Sequence, residues 1–586
     1  MCQGCVCRAY RQKQAIHHKA RHVILNLDKV HTPEREIGMK YSKHILGLAI
    51  ALASGQAAAM TNAELKGITE QRLLGDRTGA CFAVAVIDET VSRAYVCADP
   101  KNLNRISPIT AFEIGSVSKT MTAALLADLI LQDKASLGDP LSNYLSEGAV
   151  VPSFEGKPIL IKHLVTHTSG LPVVPDFGSA LNMENPYANV DDASLLKTLS
   201  TAKLQRTPGS QFEYSNYASI LLSSIIAKRA GTDFETLLRT RLFTPTGMNN
   251  SYINQKPADV EAAQGHTPNN KSTPAWTFKT NAAGVGGVRS TLDDMVKYVQ
   301  AQLGKTESAI SPALRLTQQQ INTDANNKMA MNWMLAPLDA HFVHLHEGGT
   351  GGFSAFAAFD LETKRGVVIL SDTALTSVGG LSSLGNHLLD SRLPLGKARK
   401  LKQPGAELLK AIVGNYDLMP GMKMALTEKD GKLFTQASGQ GKFEMGYDSA
   451  GDFYPLEFDA TIRTQKKSDG SYALLFLQGG GAFPLKKIDP AAAAKAAAEK
   501  PSAEQLQAYV GVYELAPGFE LKVFVESNSL KAQATGQGAF EVEAKAKDQF
   551  AADAFGIEIQ FQRDAKSTVN SLLLLQGGRT TPAKKK

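Results

Sequence analysis

Cysteine is scarce in this 586-residue chain, and three of its five cysteines (Cys2, Cys5 and Cys7) crowd the extreme N-terminus. The body keeps only Cys81 and Cys97, too few for a disulfide-built scaffold. Apolar runs of membrane-spanning length are lacking as well; the stretch from Ile45 to Ala53 is too short to cross a bilayer. Charge of one sign is missing from the body. The net charge of +7 sits at the ends: seven Lys/Arg against three Asp/Glu in residues 1–38, then Lys40 and Lys43, then Lys584 to Lys586. A nucleic-acid partner needs a basic face on the folded body, and none is supplied. Signatures for bound cofactors are absent too. "GVGGV" at 284–288 lacks the form and the strand–helix context of a dinucleotide fingerprint, and "GTGG" is no phosphate loop. His163 and His167 stand four apart, but no glutamate completes His-Glu-x-x-His, and "HEGGT" fails at Thr350. Both histidines read as structural, His344 as a neighbour of a site rather than a ligand, and neither metal nor cofactor is expected.

At this length two to four domains are expected. From Met39 the chain reads "MKYSKHILGLAIALASGQAAAMTNAEL", a short basic start, an apolar run and the small residues Ala57 to Ala59. That is the pattern of an export signal over 39–59, with translation from Met39, cleavage after Ala59 and a periplasmic or secreted product without a transmembrane segment. Residues 1–38 then read as a mis-called start. Cys81 and Cys97 lie on two apolar runs, "CFAVAVI" and "VSRAYVC", separated by "DET". A turn centred on Glu89 sets them opposite each other, so a cross-strand disulfide is predicted for an oxidising compartment.

Residues 60–398 mix β-like and helical segments, with strand signals clustered near 80–98 and 343–371. This order predicts an α+β domain, an antiparallel sheet closed by N- and C-terminal strands and flanked by helices. Beyond it a repeat appears. "VGNYDLMPG" at Val413 returns as "VGVYELAPG" at Val510, and "GQGKF" at Gly439 as "GQGAF" at Gly536. "LQGG" recurs at Leu477 and Leu575, one residue further apart, so an insertion intervenes. Strictly alternating segments such as "FGIEIQFQRD" predict two small antiparallel barrels, 399–488 and 505–586, joined by an Ala/Lys-rich linker or short helix over 489–504.

Ser-x-x-Lys occurs three times: Ser116/Lys119, Ser194/Lys197 and Ser200/Lys203. The last two lie in "DDASLLKTLSTAK", an ordinary polar-faced helix. The first is followed by "TMTAALLADLILQ", apolar on nearly every face and therefore central. Residues three apart share a helix face, so the Lys119 amine can reach the Ser116 hydroxyl. An ammonium at a helix N-terminus meets the positive end of the dipole and a desolvating core, and both favour the neutral amine. A neutral lysine can take the proton that makes serine a nucleophile. Two further elements accompany it: Tyr214 and Asn216 in "TPGSQFEYSNYASILL", and His346-Glu347-Gly348 in "VHLHEGGTGGFSAFAAFD".

In this order the elements resemble the β-lactamase-related serine hydrolases, a group of class C β-lactamases, penicillin-binding D-alanyl-D-alanine carboxypeptidases/endopeptidases, D-aminopeptidases and esterases. "LVTHTSGLP", "LFTPTGM" and "AGVGGVRSTLDDM" add to the resemblance, which spans about residues 75–375. It implies Ser116 as the acylated nucleophile, Lys119 as its partner and Tyr214 as the proton shuttle to the leaving group. Asn216, His346 and Gly348 would bind substrate, and the backbone N–H groups of Ser116 and Gly349 would form the oxyanion hole. Whether Lys119 or Tyr214 is the base in acylation stays open. His346 stands where the family carries a lysine that helps hold a substrate carboxylate, and Glu347 would repel one if it faced the site. Expected substrates are D-amino-acid peptides or peptidoglycan stem peptides, alternatively β-lactams or small esters; a non-catalytic wall- or penicillin-binding role is a further alternative. The tandem barrels resemble those of the D-aminopeptidase branch. Restricting the cleft and stabilising or partner-binding roles both stand open for them, as does the oligomeric state.

Overall fold

The structure is a computed structural model. It describes residues 59–586 apart from 178–181, 183, 323–326, 420–421, 439–440, 457–459, 479–480, 490, 492–500, 553–554, 556 and 577–578. The readings made for residues 1–58 lie outside the described residues. The chain divides into two compact units, the first ending at Leu401 and the second running Lys402–Lys586.

The first unit is built on a six-stranded antiparallel sheet. Its strands are β1 (Cys81–Ile87), β2 (Val91–Cys97), and, after two short strands β3 (Thr110–Glu113) and β4 (Arg289–Thr291), β5 (Met334–Leu338), β6 (His341–Gly349), β7 (Ser354–Asp360) and β8 (Arg365–Ser371). The order across the sheet is β5-β6-β7-β8-β1-β2, so the N-terminal hairpin closes against the last strand. Every residue of β1 is buried, because the sheet is covered on both faces. Cys81, Ala83, Ala85 and Ile87 enter the larger core; the alternating Phe82, Val84 and Val86 enter a second core with Leu65, Leu384 and Leu388. Those leucines belong to α1 (Asn62–Leu73) and to the helix Ser382–Leu389. Strand period two therefore feeds two helical layers from one apolar run. Cys81 pairs with Cys97 in the β1–β2 register, and their sulfurs are bonded.

The larger core holds α2 (Ser118–Leu131), in which residues 118 to 129 are all buried. Beside it lies the helix Asn216–Ala230, likewise buried along most of its length. A helix apolar on every face has no solvent side to present, and this pair forms the centre of the unit. Strand β3 pairs with β4, and the Ile114 N–H continues that ladder to the Val288 carbonyl at 3.1 Å. The short ladder thus fixes where α2 begins.

The second unit contains two closed eight-stranded barrels, running from Gly414 to Lys487 and from Gly511 to Lys585. Each has its own core, one around Phe453, Ile462 and Leu426 and one around Tyr513, Ile559 and Leu572. The repeat reaches detail. The first hairpin of each barrel carries a bulge at the corresponding place, between Asp417 and Met419 and between Glu514 and Ala516. Closure pairs Tyr416 with Lys487 in one and Tyr513 with Lys585 in the other. Of the Ala/Lys stretch, Ala503–Leu506 forms one helical turn capped by Ser502.

Candidate active site

Gly115 opens the site. Its φ is +50°, a conformation costly for any residue with a Cβ, and it turns the chain from β3 into the short 3-10 turn Gly115–Val117 that carries Ser116. One turn on, Lys119 is completely buried. Its Nζ lies 2.8 Å from Ser116 Oγ and donates to the Val285 carbonyl at 2.7 Å. Burial holds the amine well below the ordinary lysine range, so along the Oγ–Nζ line it can accept the hydroxyl proton.

The other two Ser-x-x-Lys pairs have no such setting. Ser194 belongs to the N-terminal cap of an exposed helix, exchanging hydrogen bonds with Asp191, and Lys197 stands in solvent beside Asp176.

Tyr214 packs over the lysine, whose Nζ is 5.0 Å from the ring centroid. The next residue, Ser215, caps the helix Asn216–Ala230 by accepting from the Ala218 N–H. Asn216 is the first residue of that helix and donates from its side chain to the Tyr187 hydroxyl at 3.1 Å. Tyr187 stacks on Phe278 and meets Trp276 and Phe177 edge-on, an aromatic wall beside Asn216. The Trp276 backbone is held by Glu113, which accepts from its N–H at 2.9 Å, and by Arg289, which donates to its carbonyl at 2.6 Å.

His346 lies on β6, 6.4 Å from the Tyr214 ring between centroids. It is buried, and its Nδ1–H donates to the Glu347 carbonyl at 2.7 Å. The neutral ring therefore carries its lone pair on Nε2, which has no partner among the described residues. Burial, with Lys119 nearby, pushes its pKa down to about 3, so the imidazole is uncharged at neutral pH. The Glu347 carboxylate is engaged by the Ser382 hydroxyl.

Strand β6 ends against the serine turn. A Cβ on Gly348 would stand 2.0 Å from the Ile114 carbonyl oxygen, and one on Gly115 would stand 2.5 Å from the Gly349 amide nitrogen. Two backbones approach here as only glycine allows, bringing Gly349 beside Ser116.

Ser116, Lys119, Tyr214, His346, Gly348 and Gly349 are thus gathered in one place. His167, whose spacing in the sequence reads as structural, lies here too. It stacks on Tyr214 at 4.2 Å between centroids. The helical spacing from His163 misleads, because the helix Ile161–Val165 ends before residue 167. His163 instead accepts from the Leu160 N–H at that helix's start. The available signal was "THTSGLP", in which the histidine stands two residues past the helix and three ahead of Gly170.

Residues 67–381 match the family model described as Beta-lactamase. The chain belongs to the beta-lactamase family. Among its relatives is the D-alanyl-D-alanine-carboxypeptidase/endopeptidase AmpH of Escherichia coli K12, 30% identical over 53% of this chain and 84% of that one. A beta-lactamase of the same strain is 27% identical over 47% of this family member and 78% of its own length. A class C beta-lactamase structure aligns with a TM-score of 0.48 at 22% identity, covering 57% of this chain and 98% of that one. Residues 495–581, a span that takes in most of the second barrel, match a domain of unknown function, DUF3471.

Proposed function

We propose that the protein is an exported serine hydrolase that acts through an acyl-enzyme on Ser116, cleaving amide bonds in D-amino-acid peptides or peptidoglycan stem peptides. The observation that carries this reading is the 2.8 Å approach of a fully buried amine to the Ser116 hydroxyl. An amine stripped of water is costly to a fold and useful to a nucleophile. Ser116 Oγ attacks the carbonyl carbon while its proton moves to Lys119 or Tyr214. The tetrahedral oxyanion sits between the N–H groups of Ser116 and Gly349, donors aimed where charge develops. As the C–N bond breaks, Tyr214 gives a proton to the leaving nitrogen, and water then releases the acyl group by the reverse path. The relative named as a D-alanyl-D-alanine-carboxypeptidase/endopeptidase supports this substrate class.

His346 bears on the choice of substrate. A neutral ring whose Nε2 lone pair is unmatched among the described residues can accept a hydrogen bond but cannot balance a carboxylate. This favours substrates that offer an N–H at that place, endopeptidase- or aminopeptidase-like, over those recognised by a free C-terminal carboxylate. It equally suits uncharged small esters, the second reading, with β-lactam hydrolysis beside it. A non-catalytic wall-binding protein would have no use for the buried amine. Mass spectrometry after incubation with a fluorophosphonate tests the reading: an adduct on Ser116 is expected, and an unmodified Ser116 under every condition would falsify it. Ser116→Ala should lower turnover of a D-alanyl amide, or of whichever substrate a small panel identifies, by about a millionfold.

A further inference from the structure

His167 makes three contacts along the segment Glu213–Ser215 that carries Tyr214. Its ring lies against the phenol at 4.2 Å and 29°. Its backbone carbonyl accepts from the Glu213 N–H at 2.7 Å, and its Nδ1 accepts from the Ser215 N–H at 3.2 Å. The two residues flanking the tyrosine are therefore tied to the same histidine that supports its ring. Phe212 closes on the far side, edge-on to the imidazole at 5.9 Å.

The histidine adopts a φ of +54° to do this, a backbone conformation of order 1 kcal/mol or more for a residue with a side chain, and one that persists only where the surroundings impose it. Because Nδ1 accepts, the neutral ring carries its hydrogen on Nε2, and that buried donor has no partner among the described residues. Most buried donors in a folded protein are matched. Burial, with Lys119 and His346 near, holds its pKa well below the ordinary histidine range. The ring that supports the phenol is thus uncharged.

We propose that His167 is the positioning residue of Tyr214, fixing the phenol in line with the leaving group so that it can deliver its proton. The inference rests on the acyl-enzyme reading above. Proton delivery matters in proportion to the basicity of the leaving group. A 4-nitrophenolate departs as an anion, whereas a 4-methylphenolate leaves faster when the C–O bond breaks with a proton arriving on oxygen. In both cases the Ser116 Oγ–acetyl bond forms, the bond between the acetyl carbon and the phenolic oxygen breaks, and the serine proton ends on the phenol or in solvent.

The test uses the full chain, the single variants Tyr214→Phe, His167→Phe and His167→Asn, and the two double variants that combine Tyr214→Phe with each His167 change. Phenylalanine keeps a ring and loses the Ser215 acceptor; asparagine keeps an acceptor and tolerates positive φ but loses the ring. Acetylation of Ser116 is followed as phenol release from 4-nitrophenyl and 4-methylphenyl acetate. Both His167 variants should slow reaction with the methylphenyl ester by about ten- to a hundredfold more than with the nitrophenyl ester, as lost general-acid catalysis does. They should add nothing once Tyr214 is phenylalanine. Equal slowing with both esters, or losses that multiply with Tyr214→Phe, would overturn the positioning role while leaving the acyl-enzyme intact. A wild-type Ser116 that is never acetylated would overturn the acyl-enzyme reading and this inference together. If one His167 variant fails to melt cooperatively, the other carries the same comparison.

Discussion

In the proposed mechanism Lys119 trades stability for chemistry. Its folded-state pKa is lowered by burial, whereas in the unfolded chain it returns to about 10.4. Below that value the unfolded state binds a proton that the folded state refuses, so the cost of burying the amine grows as pH falls toward the folded pKa. Lys119→Met should therefore raise the melting temperature at pH 7, and raise it less at pH 10, while slowing Ser116 acylation by about a thousandfold or more. Thermal melts at the two pH values, alongside labelling rates, check both halves; a variant less stable than wild type at pH 7 would contradict the account. This residue was legible in sequence because its cost was visible there: an ammonium heading an otherwise apolar helix. His167 was not legible, since its role depends on a left-handed turn that no spacing rule anticipates.

Among the elements, the junction of β6 with the serine turn depends on close backbone approach. Gly348→Ala would place a Cβ 2.0 Å from the Ile114 carbonyl, forcing the strand and the turn apart. The expected result is a folded protein destabilised by about 1–3 kcal/mol whose acylation rate falls by about a hundredfold or more, because the Gly349 N–H, the proposed oxyanion donor, no longer reaches its place. Denaturant titration and labelling read the two effects separately. The β1–β2 hairpin carries a different safeguard. Its disulfide joins residues 16 apart in the chain, a closure worth about 3 kcal/mol, so melting under reductant, or of a Cys81→Ala/Cys97→Ala double variant, should occur several degrees lower. This pairing was readable from a turn and a strand period because both cysteines lie in one hairpin. The approach of β6 to Ser116 was not, since more than two hundred residues separate them in the chain.

For the molecule as a whole, the two barrels each close their own hydrogen-bond ladder and fill their own core. Residues 402–586 produced alone should unfold cooperatively with a β-type circular dichroism spectrum, and the full chain should melt in more than one transition. A non-cooperative or helical fragment would argue against autonomy. The tandem repeat was legible because an antiparallel barrel of consecutive hairpins is local: each strand pairs with its sequence neighbour, so period-two patterning and turn glycines suffice to announce it. The catalytic unit is non-local, and its sheet is completed only when the first hairpin meets the strand Arg365–Ser371.

By itself the sequence determined the chemistry available: a serine and a lysine on one helical turn, a tyrosine before a helix, glycines where backbones must meet, and an alternation that builds barrels. These are short-range facts, set by the 3.6- and 2-residue periods of the backbone. Only the tertiary structure decided which charges survive and which way the histidines turn. Removal from water and the choice of partner for each ring nitrogen depend on groups brought together from distant parts of the chain, and around one phenol they pull the pKa values of Lys119, His167 and His346 down together.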